Sequence, residues 1–275
     1  RNLLLFQLMD NNINYEKIQN DGFCLIKSFL NENEVNSLKK IVLNTKSPKG
    51  DKKTIFAKDF KSQCIKFLKL EFKKFFDSRL LIKLSKKKGL PIIANKIFNK
   101  KINLNMIDAY YSKISNIDVL PWHCDQAYSG KEVVNKFYHP ENFNYKFFFY
   151  LTPVGPENGC TSYIPGSHRI TYLIRKGIYE NKIKYSPYWT LEQLRTFLSN
   201  EKNYAYIKKN LNDSELLDKF LEKTSFINNK KDIKNYDFFA NPGDLLIFNE
   251  GGVHKGSKVS LNDRMVVRYL FSGAN

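Results

Sequence analysis

The sequence predicts a mainly β protein with flanking helices (α+β), built as a double-sheet jelly roll with N-terminal helices and a partly helical insert. Three observations predict it. Helical periodicity is confined to about residues 1–100 and to an insert near 171–240. From about residue 101 onward, short segments rich in aromatic and β-branched residues alternate with Pro- and Gly-containing turns. No glycine-rich phosphate loop follows a strand, which removes the nucleotide-binding folds. Helices first and many short strands afterwards favour packed antiparallel sheets over a parallel α/β sheet. The 275 residues are read as one domain, with a jelly-roll core over about 101–275.

The elements follow in order. Leu30-Asn31-Glu32-Asn33-Glu34-Val35 is a helix start: Asn31 caps, Glu34 completes a capping box, and Leu30 with Val35 forms a hydrophobic staple. Val35, Leu38, Ile41 and Val42 then give one apolar face. A second helix is expected near 60–76, with Cys64, Leu68, Phe72, Phe75 and Phe76 at helical spacing, and a third over 78–87, before Gly89 and Pro91. Strands are expected at 104–114, 146–152, 160–164, 244–249 and 264–271. Within the insert, Trp189 to Leu194 repeats the staple and capping-box pattern, and Asp213 to Lys223 is a further amphipathic helix.

Composition narrows the function classes. Hydrophobic residues make up 42% and aromatics 15%, so a sizeable core forms and global disorder is excluded. No apolar run reaches the length of a membrane span, and the opening LLLFQLM is too short for a secretory h-region. Cys24, Cys64, Cys124 and Cys160 are widely separated with no CxxC, the pattern of reduced thiols in a cytoplasmic protein. Net charge is +18, but only seven of the 45 basic residues are Arg. Dedicated phosphate or base recognition favours the Arg fork, so the charge reads as a solvated lysine surface and no nucleic-acid partner is expected. Nothing in the sequence addresses the oligomeric state.

The chemistry rests on few residues. There are four histidines, at 123, 139, 168 and 254. His123 and Asp125 stand two apart on an extended segment, so both side chains point to one side and can grip one ion. His254, just after the apolar strand opened by Pro242-Gly243-Asp244, is the candidate third ligand. Two imidazoles and one carboxylate make the facial triad of non-haem Fe(II) oxygenases, which leaves positions open for co-substrates. Arg264 enters the last strand ten residues later. Its fork can pair both oxygens of a carboxylate while the 2-oxo-acid end of a dicarboxylate such as 2-oxoglutarate chelates iron.

Several further segments stand in a recognisable order. They are Asp21-Gly22-Phe23 with Phe29-Leu30-Asn31-Glu32, Trp122-His123-Cys124-Asp125, Glu157-Asn158-Gly159-Cys160, Ile164-Pro165-Gly166-Ser167-His168-Arg169, Pro242-Gly243-Asp244, His254 and Asp263-Arg264. Over roughly residues 20–271 the chain resembles the phytanoyl-CoA dioxygenase superfamily of Fe(II)/2-oxoglutarate oxygenases. The resemblance implies a double-stranded β-helix (jelly-roll) fold, iron at His123, Asp125 and His254, and 2-oxoglutarate at Arg264. It also implies O2 as co-substrate and hydroxylation of a C–H bond of a small organic molecule, with release of succinate and CO2. Asp125 argues against halogenation, because halogenating relatives replace that carboxylate. One departure is Lys255, inserted where many relatives read His-Gly-Ser, which puts Ser257 in question as a second co-substrate contact.

Other residues are weighed beside these. Arg268 shares strand parity with Arg264, and Lys113, Gln126 and Tyr128 flank the metal strand or its neighbour, so each is a candidate for the cavity. At most one of Tyr110 and Tyr111 faces it. His168 is read as a loop residue bonding to backbone, His139 as exposed, Cys124 as packing and Asp244 as fixing its turn. Lys131, Lys136 and Arg175, in the expected pocket loops 126–145 and 171–240, and Arg169 just before the second loop, are compatible with an anionic substrate. A rival reading is a metal-free jelly-roll binding protein that presents its basic surface to an anionic partner.

Overall fold

The computed structural model describes residues 13–44, 52–69, 71–125, 143–225 and 236–273. Helix α1 (Tyr15–Asp21) leads to strand β1 (Phe23–Ile26) and helix α2 (Glu32–Asn44). Strand β2 (Lys52–Phe56) precedes α3 (Phe60–Leu68), α4 (Phe72–Lys87) and α5 (Leu90–Phe98). Then come β3 (Asn103–Ser112), β4 (Ser115–His123), β5 (Asn144–Tyr150) and β6 (Thr161–Tyr163). Helices α6 (Ser167–Tyr179), α7 (Leu191–Leu198), α8 (Glu201–Asn210) and α9 (Glu215–Ser225) follow, before β7 (Leu245–Asn249), β8 (His254–Val259) and β9 (Arg264–Ser272).

Two antiparallel sheets result. The larger has the order β1-β7-β5-β9-β3-β2 and the smaller β4-β8-β6. Alternation along the strands assigns their faces. On β5, Tyr145, Phe147 and Phe149 pack with Val35, Leu38 and Ile41 of α2 and Ile93 and Ile97 of α5. Tyr150 joins Leu246, Phe248 and Val266 against Cys160 and Tyr163 from the smaller-sheet side. The N-terminal helices therefore cover the outer face of the larger sheet, and the inner face meets the smaller sheet. A third apolar cluster holds the insert helices together around Ile174, Leu194, Leu198 and Leu217.

The capping signals form as hydrogen bonds. Glu34 N–H donates to Asn31 Oδ1 at 2.9 Å and Asn31 N–H to Glu34 Oε2 at 3.0 Å. Thr190 and Gln193 close the same box at the start of α7, with Gln193 N–H to Thr190 Oγ1 at 3.2 Å. The 60–87 stretch breaks earlier than its periodicity suggests, between Leu68 and Phe72 rather than after Phe76. Lys69 caps α3 through its N–H to Ile65 O, and Glu71 at the start of α4 pairs with Lys66 and Lys74 across the break. Pro91 opens a helix instead of ending one, since the first turn of α5 needs no proline N–H. Strand β2 carries no sequence signal because it is short, with Lys53 and Ile55 exposed, and exists through pairing with β3.

A candidate iron centre at the end of the smaller sheet

Strand pairing assembles the site. β4 and β8 are antiparallel neighbours, and His123 and His254, 131 positions apart, are register partners. Asp125 follows two residues later, and its N–H donates to Glu250 O at 3.0 Å. Candidate donor atoms of the three side chains all lie within 4.8 Å of one another. His123 Nε2 is 3.6 Å from Asp125 Oδ1, and His254 Nε2 is 3.5 Å from Asp125 Oδ2. These spacings approach the roughly 3 Å expected between cis ligands at metal–nitrogen bonds of about 2.1 Å.

Tautomers are fixed by the backbone. His123 Nδ1 lies 2.6 Å from Pro121 O and His254 Nδ1 lies 2.8 Å from Gly252 O. A carbonyl only accepts, so each Nδ1 carries a proton, which leaves each Nε2 as the ring nitrogen placed to ligate a metal. His123 Nε2 is buried with no hydrogen-bond partner, a cost that a metal ion removes. Burial pushes the His123 imidazolium down to about 4, and His254 adds to that against the attraction of Asp125. Burial alone would raise the Asp125 carboxyl. Lys146, His254 and His123 outweigh it and hold Asp125 well below the usual carboxylate range. Burial thus keeps His123 neutral while its neighbours keep Asp125 ionised, so the site offers imidazole nitrogens and a carboxylate to a divalent ion.

Lys146 was not singled out in the sequence. It lies inside the jelly roll on β5, 6% exposed, with its ammonium on Asp125 Oδ2 and 3.6 Å from Glu250 Oε2. Glu250 also accepts from Asn144 Nδ2 at 2.5 Å. The available signal was a lone cation in Lys146-Phe147-Phe148-Phe149-Tyr150, sharing parity with Tyr150 on the inner face.

The last strand separates its two arginines by what they touch. Arg264, Val266 and Arg268 all face inward, as their parity requires. Arg268 is a bidentate partner of Asp108, with Nε 2.8 Å from Oδ1 and Nη2 2.5 Å from Oδ2, and Asp108 is fully buried. Its guanidinium also lies 5.3 Å from the Tyr110 ring. Arg264 is 4% exposed, sits 6.0 Å from the Tyr150 ring, and its Nε has no hydrogen-bond partner. Among the described residues no carboxylate pairs with it. Gly159 makes room for it: at φ +69°, a Cβ there would lie 2.4 Å from Arg264 Cδ.

The other candidates fall around this frame. Ser257 is buried with Oγ 3.4 Å from Cys160 Sγ. Lys113 is half-buried in the turn after Ser112, whose register partner is Arg264. Tyr110 takes the inward position, while the Tyr111 hydroxyl donates to Asp263. Cys124 packs, with Sγ 3.7 Å from Trp189 O. Asp244 fixes its turn by accepting from Ser28 N and Asn241 N. His168 bonds to Gln19 O at 3.0 Å. Gln126, Tyr128, Lys131, Lys136 and His139 lie outside the described residues.

The insert supplies one wall. Cys124 N–H donates to Trp189 O at 2.9 Å, Thr190 bridges to His123, and the Trp189 ring lies 5.2 Å from the His123 ring. A cavity of about 530 Å³ opens there, lined by Leu120, His123 and Asp125 from the β4 segment and by Pro187, Tyr188, Trp189 and Gln193 from the insert.

The phytanoyl-CoA dioxygenase (PhyH) family model matches residues 18–266. The chain belongs to the phytanoyl-CoA dioxygenase family. It is accordingly an iron- and 2-oxoglutarate-dependent dioxygenase of the phytanoyl-CoA dioxygenase type. No curated protein sequence matches it. Among solved structures it is similar to HygX from Streptomyces hygroscopicus with nickel and 2-oxoglutarate bound, at 15% identity and TM-score 0.56, covering 94% of this chain and 87% of that one. It is also similar to the non-haem α-ketoglutarate-dependent carbocyclase SnoK from nogalamycin biosynthesis, at 13% identity, TM-score 0.55 and coverage of 96% and 86%. EvdO2 from Micromonospora carbonacea var. aurantiaca complexed with 2-oxoglutarate gives 14% identity, TM-score 0.53 and coverage of 94% and 89%. Identities this low speak to the fold, and the fold agrees with the jelly roll described above.

Proposed function

We propose that this PhyH-family protein hydroxylates a C–H bond of a small organic substrate. In this reading His123, Asp125 and His254 hold Fe(II), and Arg264 takes the far carboxylate of 2-oxoglutarate. The observation that carries it is the pairing of a His-Asp-His set oriented by backbone carbonyls with a buried guanidinium that no carboxylate of the described residues pairs with. When bound, iron and 2-oxoglutarate supply O2 activation coupled to oxidative decarboxylation to succinate and CO2. The remaining tasks belong to the chain. Nδ1–H bonds to Pro121 O and Gly252 O orient the two imidazoles. Lys146 holds the Asp125 carboxylate in place. The Pro187–Trp189 wall limits water beside the reacting position.

Similar structures differ in reaction and ligand: SnoK is a carbocyclase, and one HygX structure holds hygromycin B. Hydroxylation is the reading that needs no residue beyond those present, since Asp125 retains its carboxylate. A binding protein with a degenerate centre would have lost a ligand, and all three are here. The test is succinate release from 2-oxoglutarate by the Fe(II)-loaded protein, run against a metabolite extract. A product heavier by one oxygen atom supports the proposal. Succinate release coupled to desaturated or cyclised products would refute the hydroxylase assignment.

A further inference from the structure

Helix α4 wears its polarity the wrong way round for a helix that only covers its own domain. Its buried residues are Asp77, Ser78, Leu81 and Ser85, with Ile82 and Leu84 half-buried beside them. Ser78 Oγ accepts from Ala57 N–H at 2.9 Å and donates to Lys74 O at 2.5 Å, which fixes this polar side against the end of β2. Phe72, Phe76 and Leu80 stand exposed instead. Spaced four apart, they share one face of the helix over about 12 Å. A surface helix that buries only against its own core shows its charged and polar residues on that outer face.

The end of α3 extends this apolar surface. The Phe67 ring lies 5.3 Å from Phe72 and 5.5 Å from Phe75, and Phe75 lies 5.3 Å from Phe76, so the aromatic contact is continuous across the break between the helices. Leu68 is 79% exposed and Phe76 57%. The charge around them has one sign: residues 60–88 hold ten basic side chains and two acidic ones. Lys69, Lys73 and Arg79, the chain neighbours of Leu68, Phe72 and Leu80, are exposed with them. Of the two acids, Asp77 is buried and Glu71 is taken by Lys66 and Lys74. Asp51 and Asp59, just ahead of α3, are outnumbered by Lys52, Lys53 and Lys58.

We infer that the outer face of α3 and α4 docks on an anionic lipid surface. Phe67, Leu68, Phe72, Phe76 and Leu80 enter the boundary between headgroups and acyl chains, and the lysines among them meet lipid phosphates. Exposed Phe and Leu interleaved with Lys on one helical surface is the composition of interfacial helices, in which apolar burial and attraction to anionic lipid act together. Lysine stems lie along the apolar surface while their ammonium groups reach the headgroups. A second copy of this chain is a poor occupant, because a two-fold interface sets these cations against their own copies. A nucleic acid offers phosphates but nothing for Leu68 and Leu80 to bury against. The surface stands apart from the iron centre: α4 is bonded to the end of β2, the edge strand of the larger sheet, whereas His123 and His254 belong to the smaller one.

The test is co-sedimentation of the full chain with vesicles of phosphatidylcholine containing about 30% phosphatidylglycerol, and with vesicles of phosphatidylcholine alone, at physiological salt. Half-maximal binding to the anionic vesicles is expected below about 1 mM accessible lipid, and about tenfold or more weaker to the neutral ones. Leu68→Ser/Phe76→Ser/Leu80→Ser should weaken binding to anionic vesicles by about tenfold or more while the melting temperature and 2-oxoglutarate binding stay unchanged. Lys69→Gln/Lys73→Gln, which leaves the apolar residues in place, should weaken anionic binding by about tenfold and leave neutral binding unchanged. No binding at millimolar anionic lipid, equal binding to both vesicles, or wild-type binding by either folded variant would each overturn the inference. So would a dimer in sedimentation velocity that the triple serine variant dissolves, or oligonucleotide binding at the same salt that it abolishes, since either would give this face a different occupant.

Discussion

Replacing each inward-facing arginine of β9 by methionine should give opposite results. Asp108 is fully buried and receives two hydrogen bonds from Arg268, at 2.8 and 2.5 Å. Removing one partner of a buried pair leaves an uncompensated charge, at about 3–5 kcal/mol. Lys53 remains 3.4 Å from Asp108 and Tyr110 OH 3.3 Å away, so the lower end, about 3 kcal/mol, applies to Arg268→Met. For a chain of this size that is a melting-temperature drop of roughly 6–12 °C. Arg264 has no carboxylate partner among the described residues and one buried nitrogen already unsatisfied, so Arg264→Met should hold its melting temperature within about 2 °C or gain slightly. Its loss falls on 2-oxoglutarate. Even Arg264→Lys, which keeps the charge but loses the fork, should weaken binding by about 1.5–3 kcal/mol, or roughly 10- to 150-fold. Calorimetric titration of 2-oxoglutarate into Ni(II)-loaded variants, with thermal melts alongside, measures both quantities. Unchanged 2-oxoglutarate affinity in Arg264→Lys, with a large loss in a normally stable Arg268→Lys, would refute the assignment and move it to Arg268.

Three further outcomes are expected. Lys146→Met should bind Ni(II) about tenfold or more tighter, because it removes a cation seated on Asp125, while the metal-free protein loses stability; weaker binding in a calorimetric titration would contradict this. His168 is lowered to about 4 when folded against about 6.5 unfolded, so the folded state binds fewer protons, and its contribution is full above pH 6.5 and lost as pH falls toward 4. Between pH 7 and 5 the wild type should lose about 2 kcal/mol more than His168→Gln in urea unfolding, and equal losses would remove the histidine from the account. Nucleic-acid binding should be weak and vanish by about 0.2 M salt, since the +18 charge is carried mostly by scattered lysines; retained sub-micromolar affinity in a fluorescence titration would restore the rival reading.

What the sequence made legible and what it did not divide along physical lines. Capping boxes are local, so Asn31–Glu34 and Thr190–Gln193 could be read directly. His123 with Asp125 follows from strand period, and His254 with Arg264 from order along the closing strands. Arg268 could not be separated from Arg264 on parity alone. The difference is Asp108, 160 positions away, brought opposite by the β3–β9 register. Lys146 and Glu250 were hidden for the same reason, since their meaning is their distance to Asp125. The break between α3 and α4 escaped because apolar spacing runs through it, and what marks it, Glu71 paired with Lys66 and Lys74, shows only in three dimensions.

An iron centre on His123, Asp125 and His254 that consumes 2-oxoglutarate is tested by metal stoichiometry together with succinate release, on the wild type and on Asp125→Ala, with folding checked by thermal melt. The wild type should hold one Fe(II) per chain and release succinate from 2-oxoglutarate, and a folded Asp125→Ala protein should lose both, because two imidazoles alone cannot hold the ion in the required geometry. Wild-type iron content and turnover in Asp125→Ala would contradict it.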